Sequence, residues 1–78
     1  MDKLTNQLIS AFKRVFPSLT TNDQILNASM SKVHEWDSLS HMNLMIILNE
    51  EFSLTNLRPE DFVNLSSFET ILNFLRKK

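Results

Sequence analysis

The chain has 78 residues, of which 42% are hydrophobic, and its formal net charge is -1. This composition is typical of one small soluble domain. The chain contains no glycine and no cysteine. The lack of glycine argues against a P-loop, a dinucleotide-binding fingerprint and an EF-hand, while the lack of cysteine excludes a disulfide framework, a thiolate zinc site and a cysteine nucleophile. The near-neutral charge argues against a nucleic-acid-binding protein.

The N-terminal segment and the longest apolar run indicate the cellular location of the protein. The longest unbroken apolar run, residues 44–48, is far shorter than the ~20 residues that a membrane span needs. Polar residues interrupt the N-terminal segment, which therefore lacks the pattern of a signal peptide. We expect a monomeric, cytoplasmic protein that begins at its own Met1 and has no membrane span.

The first predicted element is a helix at about residues 3–15. Apolar residues recur there at steps of three and four, which is helical periodicity. Asp2 is a good residue for a helix start, and Pro17 ends the helix near Phe16.

A long connection follows over residues 17–36. Proline, serine, threonine and asparagine dominate it, and its scattered apolar residues indicate that it is held against the core. A short helix around Asp23–Asn27 is a candidate within it. Loops of this length are uncommon in small domains and tend to be functional.

Three further helices are predicted in the second half of the chain. The second main helix begins at Asp37-Ser38, both good start residues, and runs to about Phe52. A short helix near residues 59–64 has a proline at its first position. The last helix opens with a predicted capping box, in which Ser66 is the cap and Glu69 its partner. The predicted fold is therefore all-α: one domain over residues 1–78, a small bundle of three main helices plus one short helix, with a long loop between helices one and two.

The second main helix is apolar on two faces. At about 100° per residue, Leu39, Met42 and Ile46 form one stripe, and a longer stripe that ends in Phe52 lies near the opposite side. A helix on the surface of a small bundle needs only one apolar stripe, and the bulkier one is the better candidate for the core. We therefore predict that Leu39, Met42 and Ile46 form an exposed docking surface, with Glu50 on nearly the same side. The alternative is that other helices wrap this one and bury both faces.

The start and the end of this helix carry a resemblance to a known family. The segment Trp36-Asp37-Ser38-Leu39, followed by a helix that ends Leu48-Asn49-Glu50-Glu51-Phe52, resembles the acyl carrier proteins and, more broadly, the carrier domains for acyl and aminoacyl groups. In that family an Asp-Ser-Leu motif opens the second helix and an acid-acid-Phe ending closes it. The resemblance covers nearly the whole chain, because the order of helices and loops also matches.

The resemblance implies a specific function. Ser38 would carry a 4'-phosphopantetheine arm, which a phosphopantetheinyl transferase transfers from coenzyme A. Asp37 would help to present Ser38 and would lie near the metal ion that the transferase uses, and Leu39 would fill an apolar pocket of that enzyme. Met42, Ile46 and Glu50 would face partners, namely enzymes that activate or transfer acyl groups. The chain would carry acyl groups as thioesters and would catalyse nothing itself.

The sequence also departs from the family pattern. Ser40, Asn43 and Asn49 stand where carriers of central fatty acid synthesis often have acids, and Trp36 stands where they often have glycine. Ser53 replaces the glycine that often follows the final phenylalanine. These departures resemble free-standing carriers of a specialised lipid, polyketide or surface-polysaccharide pathway. Two alternatives stay open: an aminoacyl or peptidyl carrier, and a small helical interaction module without a prosthetic group.

Other candidate residues give weaker patterns. His41 follows Ser38 by three residues, but Asp37 and Ser38 point about 100° apart on a helix, which does not suit a catalytic triad. His41 lies beside the core stripe, where a tethered or half-buried histidine is expected. His34 alone with its acidic neighbour does not make a metal site. Trp36 is expected to anchor the long loop to the bundle.

Overall fold

The computed structural model describes residues 2–54 and 57–77, and these residues form five helices. The helices are α1 (Lys3–Val15), α2 (Asn22–Leu26), α3 (Ser38–Phe52), α4 (Pro59–Asn64) and α5 (Phe68–Arg76). Within these described ranges the β-structure is a single isolated bridge between Ser29 and Ser67. The predicted all-α bundle is confirmed, with α1, α3 and α5 as the main helices and α4 as the short one.

The ends of α1 are set by local sequence. The Asp2 side chain accepts a hydrogen bond from the Thr5 amide at 2.8 Å and caps the helix. The helix ends with Phe16 as its C-terminal cap, directly before Pro17, because proline disfavours helical backbone in the residue that precedes it. Both predicted limits of this helix are confirmed.

The long connection contains the short helix α2. Thr21 and Gln24 form a reciprocal capping box at its start, which satisfies two of the amide groups that a helix start leaves unpaired. Ile25 is completely buried and Trp36, at the end of the connection, is almost so. The connection is therefore held against the core along its length, as its scattered apolar residues predicted.

The predicted start of the last helix is wrong. The capping residue of α5 is Ser67, whose hydroxyl accepts from the Thr70 amide at 3.1 Å. The Ser66 carbonyl instead accepts a hydrogen bond from the Met30 amide at 2.8 Å. The backbone of Ser66 is therefore paired with the long connection, and α5 begins at Phe68, one residue later than it would if Ser66 were the cap.

The core is one cluster centred on aromatic rings. Phe12 of α1 meets Trp36 and Phe68 edge to face, with ring centroids 5.5 and 5.1 Å apart. Such pairs stabilise a core beyond the area that they bury. α1 packs against α2, α3 and α5. The core also holds Trp36, the last residue of the long connection, two residues before α3 begins.

The turn after α3 forms without glycine. Ser53 lies in the left-handed region, with φ 54° and ψ 55°, and its amide donates to the Asn49 carbonyl. Glycine adopts this backbone with less strain than any other residue. α4 follows as a short helix with Pro59 at its start, and none of the residues of α4 is buried. None of the helices in the described ranges has the length and apolar character needed to cross a membrane.

Candidate functional site

The candidate site lies at the start of α3, where Asp37 holds the first turn. The Asp37 carboxylate accepts a hydrogen bond from the Ser40 amide at 2.9 Å and so caps the helix. This bond also holds the pKa of the Asp37 carboxyl below its ordinary value, because it favours the charged form. A negative charge is thereby fixed beside the first helical residue, Ser38.

Ser38 is exposed at the first position of α3. The first amide groups of a helix have no partners within it, and the helix dipole makes this end favourable for an anion. A hydroxyl here is accessible to another enzyme, and a phosphoryl group attached to it would lie at the positive end of a helix of 15 residues. The geometry therefore suits a serine that is modified.

One apolar stripe of α3 faces outward. Leu39, Met42 and Ile46 are 78%, 53% and 54% exposed, whereas Leu44 and Leu48, on the opposite stripe, are completely buried. Leu44 and Leu48 belong to the longer stripe that ends in Phe52, so the prediction that this stripe faces the core is confirmed, and the alternative in which both faces are buried is wrong. We call Leu39, Met42 and Ile46 the outward stripe.

Other residues extend the surface around the outward stripe. Glu50 is exposed at the far end of α3. Val63 of α4, which sequence analysis missed, is 77% exposed. A signal for it exists: Phe62 and Val63 are neighbours in a short helix and point about 100° apart, so one of them must turn away from the core. The apolar surface thus includes a residue of α4 as well as α3.

An apolar groove lies directly beside Ser38, and we call it the serine groove. It has a volume of about 400 Å³ and is lined by Met30, Ser38, His41, Met42, Phe62 and Val63. A second groove of about 280 Å³ is lined by Met42, Met45, Ile46, Asn49, Leu54, Leu57 and Phe62, and we call it the inner groove. Met42 and Phe62 border both grooves, so these two side chains separate them.

His41 lies between the core and the serine groove. The Trp36 indole donates from Nε1 to His41 Nδ1 at 3.0 Å, and His41 Nε2 lies 2.6 Å from the Phe62 carbonyl oxygen. Because an indole N–H can only donate, Nδ1 is the acceptor and Nε2 carries the proton that is donated to Phe62. His41 is buried and both of its ring nitrogens are bonded, in agreement with the prediction of a tethered histidine.

The partners of His41 are a second feature that sequence analysis missed. Trp36 was predicted to anchor the loop, and its almost complete burial confirms this. Its bond to His41 spans only five residues, but the Phe62 carbonyl is 21 residues away. A backbone carbonyl gives no sequence signal of its own. The arrangement depends on the packing of α4 against α3.

The described residues contain no cluster suited to a metal ion. Across residues 2–54 and 57–77, no group of three or more histidine, cysteine, aspartate or glutamate side chains comes together as a metal site requires. His34 and Glu35 are exposed on the long connection. The surroundings of Ser38 instead combine an exposed serine, a fixed carboxylate, a helix N-terminus and apolar grooves.

Comparison with known proteins identified no relative of this chain. No protein-family model matches the chain, and neither a curated protein nor a solved structure matches it significantly. The assignment of a function therefore depends on the residues and the geometry of the site.

Proposed function

We propose that the protein is an acyl carrier that bears a 4'-phosphopantetheine arm on Ser38 and itself catalyses no reaction. The observation that carries the proposal is the exposure of Ser38 at the first position of α3, inside the motif Trp36-Asp37-Ser38-Leu39. A serine that only caps a helix would occupy the preceding position, which Asp37 holds here. Ser38 is therefore free of the structural role that serines at helix starts usually have.

Loading the arm requires one group transfer from coenzyme A. The Ser38 oxygen forms a bond to the phosphorus of the pantetheine phosphate, and the bond from that phosphorus to the bridging oxygen of the diphosphate breaks. Adenosine 3',5'-bisphosphate leaves, and the hydroxyl proton passes to a base of the transferase or to water. The attached phosphodiester keeps one negative charge, which the start of α3 stabilises.

The arm would supply a thiol, on which acyl groups are carried as thioesters. This fits a chain that has no cysteine, because the arm's thiol would then have no internal disulfide partner. The residues of the site also fit the arm: Ser38 is exposed and the groove beside it is apolar. Each CH₂ of an acyl chain that enters such a groove contributes about 0.8 kcal/mol when it is fully buried.

The outward stripe supports the second half of the proposal, docking to partner enzymes. Exposed apolar side chains that cluster beside a functional residue mark interaction surfaces. Leu39 adjoins Ser38 in sequence and is the most exposed of the stripe, so we expect the transferase to contact it first. Enzymes that activate or transfer acyl groups would use the same surface in turn, in a specialised lipid, polyketide or surface-polysaccharide pathway.

The test is enzymatic loading followed by intact mass measurement. The chain is incubated with coenzyme A, magnesium and a broad-specificity phosphopantetheinyl transferase, and a gain of one phosphopantetheine is expected. Ser38→Ala must abolish the gain. Ser40→Ala, on the same turn of α3, is the matched control and must still be loaded. No gain, or a gain that survives Ser38→Ala, would overturn the proposal.

A second candidate is an interaction module that has no prosthetic group. The outward stripe favours it, because that surface needs no arm in order to bind a partner. A protein that cannot be loaded by the transferase, but whose stripe is needed for binding a partner, would be of this kind.

The class of cargo separates an acyl carrier from an aminoacyl or peptidyl carrier. The apolar lining of the serine groove favours an acyl chain. Loaded with an octanoyl arm, the protein should unfold at a higher temperature than with an acetyl arm, because only the longer chain reaches apolar surface. A glycyl arm that stabilises as much as the octanoyl arm would favour the aminoacyl carrier.

A further inference from the structure

His41 connects the helix that bears Ser38 to the loosely packed helix α4. α4 buries none of its residues, and its Val63 is 77% exposed. The polar contacts at its start are local, between Arg58 and the nearby Glu60 and Asp61. Among the described residues, Phe62 of α4 is partly buried against the core, and Leu65, directly after the helix, is buried in it. Within residues 2–54 and 57–77, few interactions therefore oppose a movement of this helix away from α3.

The bond from His41 gives a partner to a carbonyl group at the end of α4. The last four carbonyl groups of a helix have no partner within it. The Phe62 carbonyl is one of these, because α4 ends at Asn64, and it accepts the hydrogen bond from His41 Nε2 at 2.6 Å. The rings of the two residues also meet edge to face, with centroids 5.5 Å apart. His41 thus fastens α4 by its end.

The fastening point lies at the wall between the two grooves. Phe62 borders both the serine groove and the inner groove, and His41 lines the serine groove. A displacement of Phe62 away from α3 would widen the serine groove and join it to the inner groove. The position of α4 therefore sets how much apolar space is available beside Ser38.

We propose that His41 is a positioning residue that fastens α4 to α3 and thereby controls the opening of the apolar space beside Ser38. Trp36 holds the His41 ring in the tautomer that donates to Phe62, through its own bond to Nδ1. Two hydrogen bonds of His41, in α3, thus connect the end of the long connection to α4. The fastening of α4 is inferred from the contacts of His41 and needs no prosthetic group. Its effect on an acyl cargo rests on the proposed function.

The first test measures amide hydrogen exchange by NMR in the unmodified chain, with three variants at position 41. His41→Phe keeps an aromatic ring but removes both hydrogen bonds. His41→Asn has an amide oxygen near the place of Nδ1 but is too short to reach the Phe62 carbonyl. His41→Gln reaches that carbonyl with its amide nitrogen and is the rescue variant.

The expected result is a local change in α4. In His41→Asn and His41→Phe, exchange at the amides of Phe62 and Leu65, which are bonded within α4, should accelerate about 10-fold more than exchange in α1 and α5. His41→Gln should stay within about threefold of the parent. An equal acceleration in all helices would show a merely structural histidine and overturn the proposal, as would unchanged exchange in α4. If His41→Phe does not fold, His41→Asn decides.

The second test measures the effect on cargo. The protein is loaded from octanoyl-coenzyme A by the transferase, and cleavage of the thioester by hydroxylamine is followed. His41→Asn should be cleaved several-fold faster than the parent and His41→Gln at the rate of the parent, because a loosened α4 exposes the chain more often. With an acetyl arm, which is too short to enter the grooves, all three proteins should be cleaved at the same rate.

The two tests separate the two proposals. If the transferase leaves Ser38 unmodified, the proposed function fails, but the exchange rates of the unmodified chain still decide whether His41 fastens α4. If loading succeeds and octanoyl cleavage is equal in all three proteins, control of the cargo by His41 is overturned and the carrier function stands.

Discussion

The Trp36 indole and the His41 imidazole form a buried hydrogen-bonded pair, with Nε1 and Nδ1 3.0 Å apart. The pair lies where the long connection leads into α3. Trp36 precedes Ser38 by two residues, and His41 follows it by three. A buried donor or acceptor that loses its partner costs the full penalty of its desolvation. The pair therefore links the position of the long connection to that of α3, the helix that carries Ser38.

This coupling predicts that substitutions at the two positions are not additive. Trp36→Phe strands His41 Nδ1, His41→Phe strands the Trp36 indole, and the double variant strands neither. We expect the double variant to lose about 1 kcal/mol less free energy of unfolding than the sum of the single losses. Urea unfolding of the four proteins measures this. Additivity to within about 0.3 kcal/mol would show that the bond contributes nothing.

The limits of α1 and the start of α3 were predictable from sequence because they depend on neighbouring residues. Asp2 caps α1 and Asp37 caps α3, each through a bond to an amide three residues away. Pro17 and Pro59 mark an end and a start by their own backbone restriction. Signals of this kind are complete within a few residues, so a single sequence contains them.

Apart from Val63, whose exposure had a local signal, the errors and omissions involve contacts between distant segments. Ser66 has the sequence features of a cap, but its carbonyl pairs with Met30, 36 residues earlier, and Ser67 takes the role instead. The bond from His41 to the Phe62 carbonyl is likewise invisible, because every residue has a carbonyl. The outward stripe was predictable because helical periodicity separates the two apolar stripes and the bulkier one was the better candidate for the core. The grooves were not, because they need the position of α4.

The corrected cap of α5 gives a second prediction. Ser67→Ala removes the hydroxyl that accepts from the Thr70 amide and should lower the free energy of unfolding by about 1 kcal/mol. Ser66→Ala is the matched control: it keeps the carbonyl that pairs with Met30 and should change stability by less than about 0.5 kcal/mol. The reverse order in chemical denaturation would restore Ser66 as the cap.

The left-handed backbone of Ser53 gives a third prediction. Ser53→Gly and Ser53→Ala both remove the hydroxyl, so their difference isolates the backbone. The glycine variant should be more stable than the alanine variant by about 1 kcal/mol, because alanine retains the steric cost of a φ of 54°. Thermal unfolding of both variants measures the difference. An alanine variant as stable as the glycine variant would show that this turn is not strained.

The cap of α3 predicts a pH dependence. The pKa of the Asp37 carboxyl lies below its ordinary value of 3.8 because the Ser40 amide donates to it. A lowered folded-state pKa gives stability that is fully present above the ordinary value and is lost as the pH falls through the folded value. Asp37→Asn keeps a capping oxygen but has no charge to lose.

The parent should therefore be more stable than Asp37→Asn near neutral pH, and the difference should shrink below about pH 4. Thermal unfolding over a pH series measures it, and the other carboxyl groups cancel in the comparison. Asp37→Ala, which also loses the capping oxygen, should be less stable than Asp37→Asn at every pH. A parent-to-Asn difference that stays constant to pH 2 would contradict the role of the Asp37 charge.

The most exposed residue of the outward stripe gives the last prediction, which separates docking from folding. Leu39 is 78% exposed, so Leu39→Ser should change the free energy of unfolding by less than about 0.5 kcal/mol. If the transferase binds this side chain in an apolar pocket, the same variant should lose about 10- to 100-fold in kcat/KM for loading, since burial of a leucine contributes about 1.5–3 kcal/mol. Asn43→Ser, an exposed polar position of the same helix, is the control and should load at the parent rate. Equal loading of Leu39→Ser and the parent would remove Leu39 from the docking surface, and a matching loss in Asn43→Ser would show a general effect on α3.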